Sequence, residues 1–198
     1  MTSEPLILAF DTSVAHCAAA LLWGERLLVQ RDEPMAKGQA ERLFPLLQEV
    51  LFEAGKTWAD LSAIGVGTGP GNFTGIRISV SAARGLALSL GIPAVGVSSF
   101  EALALNAPRP VLSLVDARRD QVFAQELSAN GAQAPFMATK DTLPDMPTIG
   151  PFDTVDPVAI ARITATRFAD PDLPRPAPLY VRAPDAAPPR DPAPVILP

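Results

Sequence analysis

Between residues 64 and 90 a short apolar run, Ile64 to Gly67, passes through GTGPGNFTGIR into a long helical pattern, and no other segment restricts the fold as much. Four glycines in eleven residues let the backbone reverse tightly, so Gly65 to Arg77 reads as a strand, a close turn and a helix entry. That unit is the building block of an α/β sheet. The spacing predicts a helix from Phe73 to Leu90, ended by Gly91 and Pro93. Its only charges are Arg77 and Arg84, on one stripe, while Ile76, Ile78, Val80, Leu86, Leu88 and Leu90 cover the remaining faces. A helix apolar nearly all round is buried on more than one side. A second helical pattern, Gln39 to Ala54, shows the same excess, since Phe44, Leu47 and Leu51 lie off the stripe of Leu43, Leu46 and Val50. The two helices are either an internal pair or a surface that meets another chain.

Around them the period is that of strands. Leu6 to Phe10, Cys17 to Trp23 and Arg26 to Arg31 form a meander with tight connections, and Ala94 to Val97 is a further short strand. Ser98 and Glu101 have the spacing of a capping box that opens another helix. Val111 to Val115 then ends at Asp116, before a loop and the alternating run Gln121 to Leu127, much as the first strand ends at Asp11 before its own hairpin. A strand, Asp and hairpin used twice suggests an internally duplicated fold. A last helix is predicted near Pro157 to Phe168. The chain divides into a first lobe over 1–106, a smaller lobe over 107–183 and a mobile tail over 184–198, where the prolines are dense.

Charge and cysteine content exclude some classes. With a formal charge of −5 the chain is not built to hold nucleic acid alone, because that binding rests on phosphate neutralisation by Lys and Arg. One cysteine forms no internal disulfide, and one histidine leaves no Cys/His zinc cluster. No window approaches a membrane span and no basic-then-apolar leader opens the sequence, so a cytoplasmic protein is expected.

The glycine turn invites a phosphate-binding reading, with Gly69 and Gly71 bringing backbone N–H groups to an anion at a helix start. It lacks the Lys-Ser/Thr pair of a P-loop, and the alternative is that the glycines serve turn geometry and close packing. Asp11, Thr12 and Ser13 stand where a nucleotide-facing aspartate loop would be, as does Asp116, yet each is also an ordinary turn sequence, and Arg118 and Arg119 are charge partners for Asp116. An ATP-dependent kinase or ATPase using Asp11 and Asp116 is thus the alternative to a binding protein. His16 and Cys17 are neighbours on a strand and point to opposite faces, so structural roles are expected and no protease-type nucleophile and base is formed.

Taken together, FDTS, GQAERLFPLL, GVGTGPGNFTGIRISVSAARGLAL, GIPAVGVSSFEALA and VDARRDQVFAQ resemble the TsaB (YeaZ) family, and PLYVR near the end resembles that family's terminal Pro-x-Tyr-Leu-Arg. The resemblance implies a two-lobed α/β fold of the actin-like (ASKHA, ribonuclease H-like) class with a reduced C-terminal lobe. It also implies a non-catalytic scaffold role in tRNA threonylcarbamoyladenosine formation. The partners would be the transferase TsaD, as a heterodimer, and the ATPase TsaE, with tRNA met only through the complex and a homodimer as the state without TsaD. Carried over by position, the contact surface is Arg42, Leu43, Leu46, Leu47 and Val50 on the first helix with Ile76, Val80, Ala83 and Arg84 on the second. TsaD holds its metal with two histidines on the first helix, where this chain reads KGQAERLF. No cofactor, catalytic residue or metal ligand of its own is therefore expected, with ATP or ADP and a divalent metal belonging to the partner subunits.

Overall fold

A computed structural model of the chain describes residues 4–117, 119–152 and 154–181. Arg118, Arg182 and the 184–198 tail lie outside the described residues. The meander forms as predicted, with β1 (Leu6–Asp11), β2 (His16–Trp23) and β3 (Arg26–Pro34) antiparallel. It is followed by α1 (Gln39–Glu53), β4 (Ala63–Gly67), α2 (Phe73–Leu90) and β5 (Ala94–Val97). The sheet order is β3-β2-β1-β4-β5, with β4 and β5 parallel to β1. Alternation along β1 decides what covers each face. Leu6, Leu8 and Phe10 point into a cluster with Leu43, Leu46, Leu47, Ile76 and Val80 beneath α1 and α2, while Ile7 and Ala9 point the other way.

Helix ends follow local chemistry. Asn72 caps α2 by accepting from the N–H groups of Thr74 and Gly75, and Gly91 closes it at φ 67°. The Ser98/Glu101 capping box opens α3 (Ser99–Leu103) as its spacing predicts. Pro45 lies inside α1 and leaves the Glu41 carbonyl without its usual donor, yet the helix runs through it because its other face is held in the core.

The second sheet repeats the opening device. β6 (Val111–Asp116) and β7 (Gln121–Ser128) pair antiparallel, β8 (Gly131–Ala132) and β9 (Phe136–Thr139) join β7, and β10 (Thr148–Ile149) lies parallel to β6 as β4 does to β1. This is the two-lobed, actin-like α/β architecture that the resemblance implies, with a small second sheet. The last helix, α4 (Pro157–Arg167), follows that sheet in sequence but packs on the first: Ala159, Ile160 and Ile163 cover Ile7, Ala9, Val95 and Val97. The first sheet is thus sandwiched between α1 and α2 on one face and α4 on the other, so packing divides the chain differently from the sequence boundary at residue 107.

Candidate functional site

Two places carry the residues singled out above: the loop after β1, and the outer face of α1 and α2. At the first, Asp11 ends β1 fully buried, and Thr12 and Ser13 are buried with it. One carboxylate oxygen, Oδ1, accepts from the Ser13 amide at 2.8 Å, the Ser13 hydroxyl at 2.9 Å and His16 Nε2 at 2.8 Å. The other, Oδ2, is buried without a hydrogen-bond partner and faces Gly67, where any Cβ would collide with it. The glycine turn closes over this loop. The Thr12 hydroxyl donates to the Gly75 carbonyl at 2.7 Å and the Asn72 amide to the Ser13 carbonyl at 2.6 Å. A Cβ on Gly71 or Gly75 would strike the Ser13 or Thr12 carbonyl, so these glycines are required by close approach. Gly69 supplies a turn at φ 87°.

In this conformation, therefore, Asp11, Thr12 and Ser13 turn inward, and all of their side-chain oxygens but Asp11 Oδ2 are bonded within the protein. Asp116 is exposed at the end of β6, and among the described residues no hydrogen bond or ion pair joins it to Asp11. The described residues hold no cluster of three or more His, Cys, Asp or Glu arranged for a metal ion.

His16 is more than a strand residue. Its Nε2 meets Asp11 and its Nδ1 meets Asp32 Oδ1 at 3.0 Å, with the ring fully buried. Both nitrogens face carboxylates, which suits the doubly protonated ring. Burial alone would lower its pKa, but the hydrogen bond and charge of Asp11, then those of Asp32, outweigh it, and the pKa stands above the ordinary 6.5. Below about pH 6.5 the imidazolium's contribution to stability is complete, and it is lost as the pH climbs through the raised value. The melting temperature is expected to fall as the pH rises above about 6.5, by about 2–4 °C for each kcal/mol lost. His16→Gln should flatten that dependence in a calorimetric pH series; an equally steep curve in the variant would contradict it. Cys17 points into the other cluster, and burial, with nearby Glu33, pushes its thiol up to about 12. It is no thiolate nucleophile.

The second place corrects the expected contact residues. Leu43, Leu46, Leu47, Val50, Ile76, Val80 and Ala83 are all buried in the core beneath the helices, and of these Leu43 alone also borders the outward groove, so the others form the core side of the helices and not a contact surface. The periodicity could not separate inside from outside because both faces are apolar. Arg42 is also engaged internally. Its guanidinium grips Glu33 with two bonds of 2.7 Å and reaches Glu49 at 2.6 Å, tying β3 to α1 and holding the Glu33 carboxyl below the usual range. Only Arg84 of the expected set is exposed.

What faces outward is a groove between the helices, about 520 Å³, floored by Ala82 and Gly85 and walled by Ala40, Phe44, Ile78 and Leu86. Beyond it Phe52 and Leu88, each 86% exposed, stand at the carboxyl ends of α1 and α2. Both helices run antiparallel to the strands they connect and hence side by side in the same direction. Small residues at the groove floor permit close approach of another helix, and large apolar side chains left in water mark an interaction surface. Of the small residues Gly75, Ser79, Ala82, Ala83 and Gly85 on α2, Ala82 and Gly85 are the pair that reach this surface, the others being buried.

The chain is similar to several known proteins. Residues 33–140 match the family model "TsaD: tRNA N6-adenosine threonylcarbamoyltransferase". Escherichia coli has a tRNA threonylcarbamoyladenosine biosynthesis protein TsaB 36% identical over 125 residues, 61% of this chain and 54% of that one. The Buchnera aphidicola protein of the same name is 37% identical, covering 63% and 61%. The chain thus spans about half to three-fifths of these relatives. An uncharacterised Mycobacterium tuberculosis protein is 32% identical across 92% of this chain and 94% of its own length. Among solved structures, a Pseudomonas aeruginosa protein described as similar to the peptidase YeaZ aligns with TM-score 0.74 at 25% identity, covering 90% and 100%. YeaZ from the same organism aligns at 0.56 and 31%, covering 77% and 68%.

Proposed function

Since the chain belongs to the TsaD family and stands there with the TsaB (YeaZ) proteins, we propose that it is a non-catalytic subunit of a tRNA threonylcarbamoyladenosine transferase complex. It binds and supports TsaD through the outward groove of α1 and α2. The observation that carries this is the exposed apolar face around Phe44, Ala82, Gly85 and Leu88 on two rigid helices. The charges differ between the helices: α1 carries Glu41, with Glu49 and Glu53 paired to Arg42 and Arg31, whereas α2 carries Arg77 and Arg84 and no acidic residue. A partner helix pair with the opposite distribution would fit. The inward-turned Asp11 loop favours a supporting role over a kinase or ATPase role, because Asp11 Oδ1 and the Thr12 and Ser13 hydroxyls are bonded within the fold, with Asp11 Oδ2 the one unpaired oxygen of the three side chains. A peptidase role has no support, since buried His16 is held between two carboxylates and the Cys17 thiol titrates near 12.

In this reading the subunit holds no nucleotide or metal, TsaE joins the TsaD heterodimer, tRNA is met through the complex, and the work is done in the cytoplasm. No described helix is long and apolar enough to cross a membrane. Mass measurement in solution, with and without TsaD, is expected to give a one-to-one heterodimer, and cells depleted of the chain should lose the tRNA modification. Failure of the two purified proteins to associate would end the proposal. Tight ATP and magnesium binding by the chain alone, with phosphate release in calorimetry, would favour the kinase or ATPase alternative.

A further inference from the structure

After α4 the chain returns across the carboxyl ends of β4 and β5, where an open α/β sheet ordinarily presents a ligand crevice. Pro176 is buried against Gly96 of β5, and the Leu179 amide donates to the Thr68 carbonyl, just past β4, at 2.8 Å. Leu179 and Val181 pack on the cluster of Phe100, Val111, Val115 and Leu127 that belongs to α3 and the second sheet. Tyr180 points the other way. Its ring stacks on Phe73 with centroids 5.1 Å apart, its hydroxyl accepts from Arg77 Nε at 2.9 Å, and the Arg77 guanidinium lies 3.9 Å from the Phe73 centroid. Phe73 and Arg77 are one turn apart at the start of α2. Prolines at 174, 176 and 178 restrict the segment to extended backbone, so it behaves as a stiff tie.

We propose that residues 176–181 are a strap and Tyr180 a positioning residue for the partner-binding helix: through it the second sheet holds the first turns of α2. This deepens, and rests on, the reading of α2 as a partner helix. By linkage, whatever draws the strap from the crevice also weakens partner binding, and bound partner holds the strap in place by the same factor. The free energy of one stacked, hydrogen-bonded ring corresponds to an effect of about tenfold.

The test is hydrogen exchange on the free chain together with titration by TsaD. Tyr180→Ala is expected to speed exchange of the 73–79 amides by about tenfold, with the α4 amides unchanged, and to lower TsaD affinity about as much. Tyr180→Phe keeps the stack and loses the bond to Arg77, and should fall between. Unchanged exchange in Tyr180→Ala would overturn the strap whatever the affinity did, since an affinity loss alone would mean direct contact by Tyr180. Faster exchange with unaltered affinity would overturn its role in positioning. If the wild-type chain failed to bind TsaD, the partner reading would fall, and the exchange result would still decide whether the strap holds α2.

Discussion

Replacing Gly85 by glutamate is expected to abolish association with TsaD while leaving the subunit at least as stable. Gly85 sits in the interior of α2 on its exposed side, and a Cβ built there meets no atom within 4 Å. Glycine in a helix interior costs roughly 0.5–1 kcal/mol against a good helix former, so the fold loses nothing by the change. The new side chain stands on the floor of the groove lined by Ala82, Phe44 and Leu86. Closing a partner helix on that floor would bury an unpaired carboxylate, which costs about 3–5 kcal/mol and lowers affinity by more than about 100-fold. Thermal denaturation and titration calorimetry read the two halves of the expectation separately. Binding within about threefold of wild type would show that the partner does not use the groove.

Leu46→Asp should do the opposite, removing the fold and not merely the contact. Leu46 is wholly buried among Phe10, Leu43, Val50 and Ile76. Deleting a buried leucine side chain costs about 2–5 kcal/mol before any charge is considered. An unpaired carboxylate in the same place adds several more, which is comparable to the 5–15 kcal/mol of total stability usual for a domain, so the variant should be largely unfolded at about 25 °C. Leu46→Ala is the graded control, folded but less stable by about 2–5 kcal/mol in denaturant titration. A soluble Leu46→Asp protein with the wild-type melting temperature and a selective loss of partner binding would place Leu46 on the contact surface and contradict its burial.

These two substitutions mark where sequence was informative and where it was silent. Strand and helix positions were legible because their signals are local: Gly91 just past a helix end, the Ser98/Glu101 box, and the short apolar run of β1. The two Asp-terminated hairpins were legible because the same short pattern is used twice. The facing of α1 and α2 was not, since Leu47 and Phe44 are equally apolar and only the sheet decides that one is buried and the other half-exposed. The Asp11–His16–Asp32 bridge was missed because it links three strands, and Asp32 comes within reach only through the β2/β3 register. The one hint was a histidine at the head of an otherwise apolar strand, HCAAALLW. The strap was read as the resemblance of PLYVR to a family string and as a proline-rich stretch, without a site of attachment, because its contacts at Thr68, Phe73, Arg77 and Gly96 lie 80 or more residues away.

The return of α4 to the first sheet bears on how the chain is made. On the ribosome, strands β1 to β5 emerge first, and α1 and α2 can cover one face at once. The other face, with Ile7, Ala9, Val95 and Val97, has no cover until residues 157–167 follow. At about 5–20 residues per second, the roughly 60 residues in between take several seconds to synthesise. During that interval a nascent sheet displays a bare apolar face, a natural client for a chaperone at the exit site. A truncation at the apparent lobe boundary would make that transient state permanent.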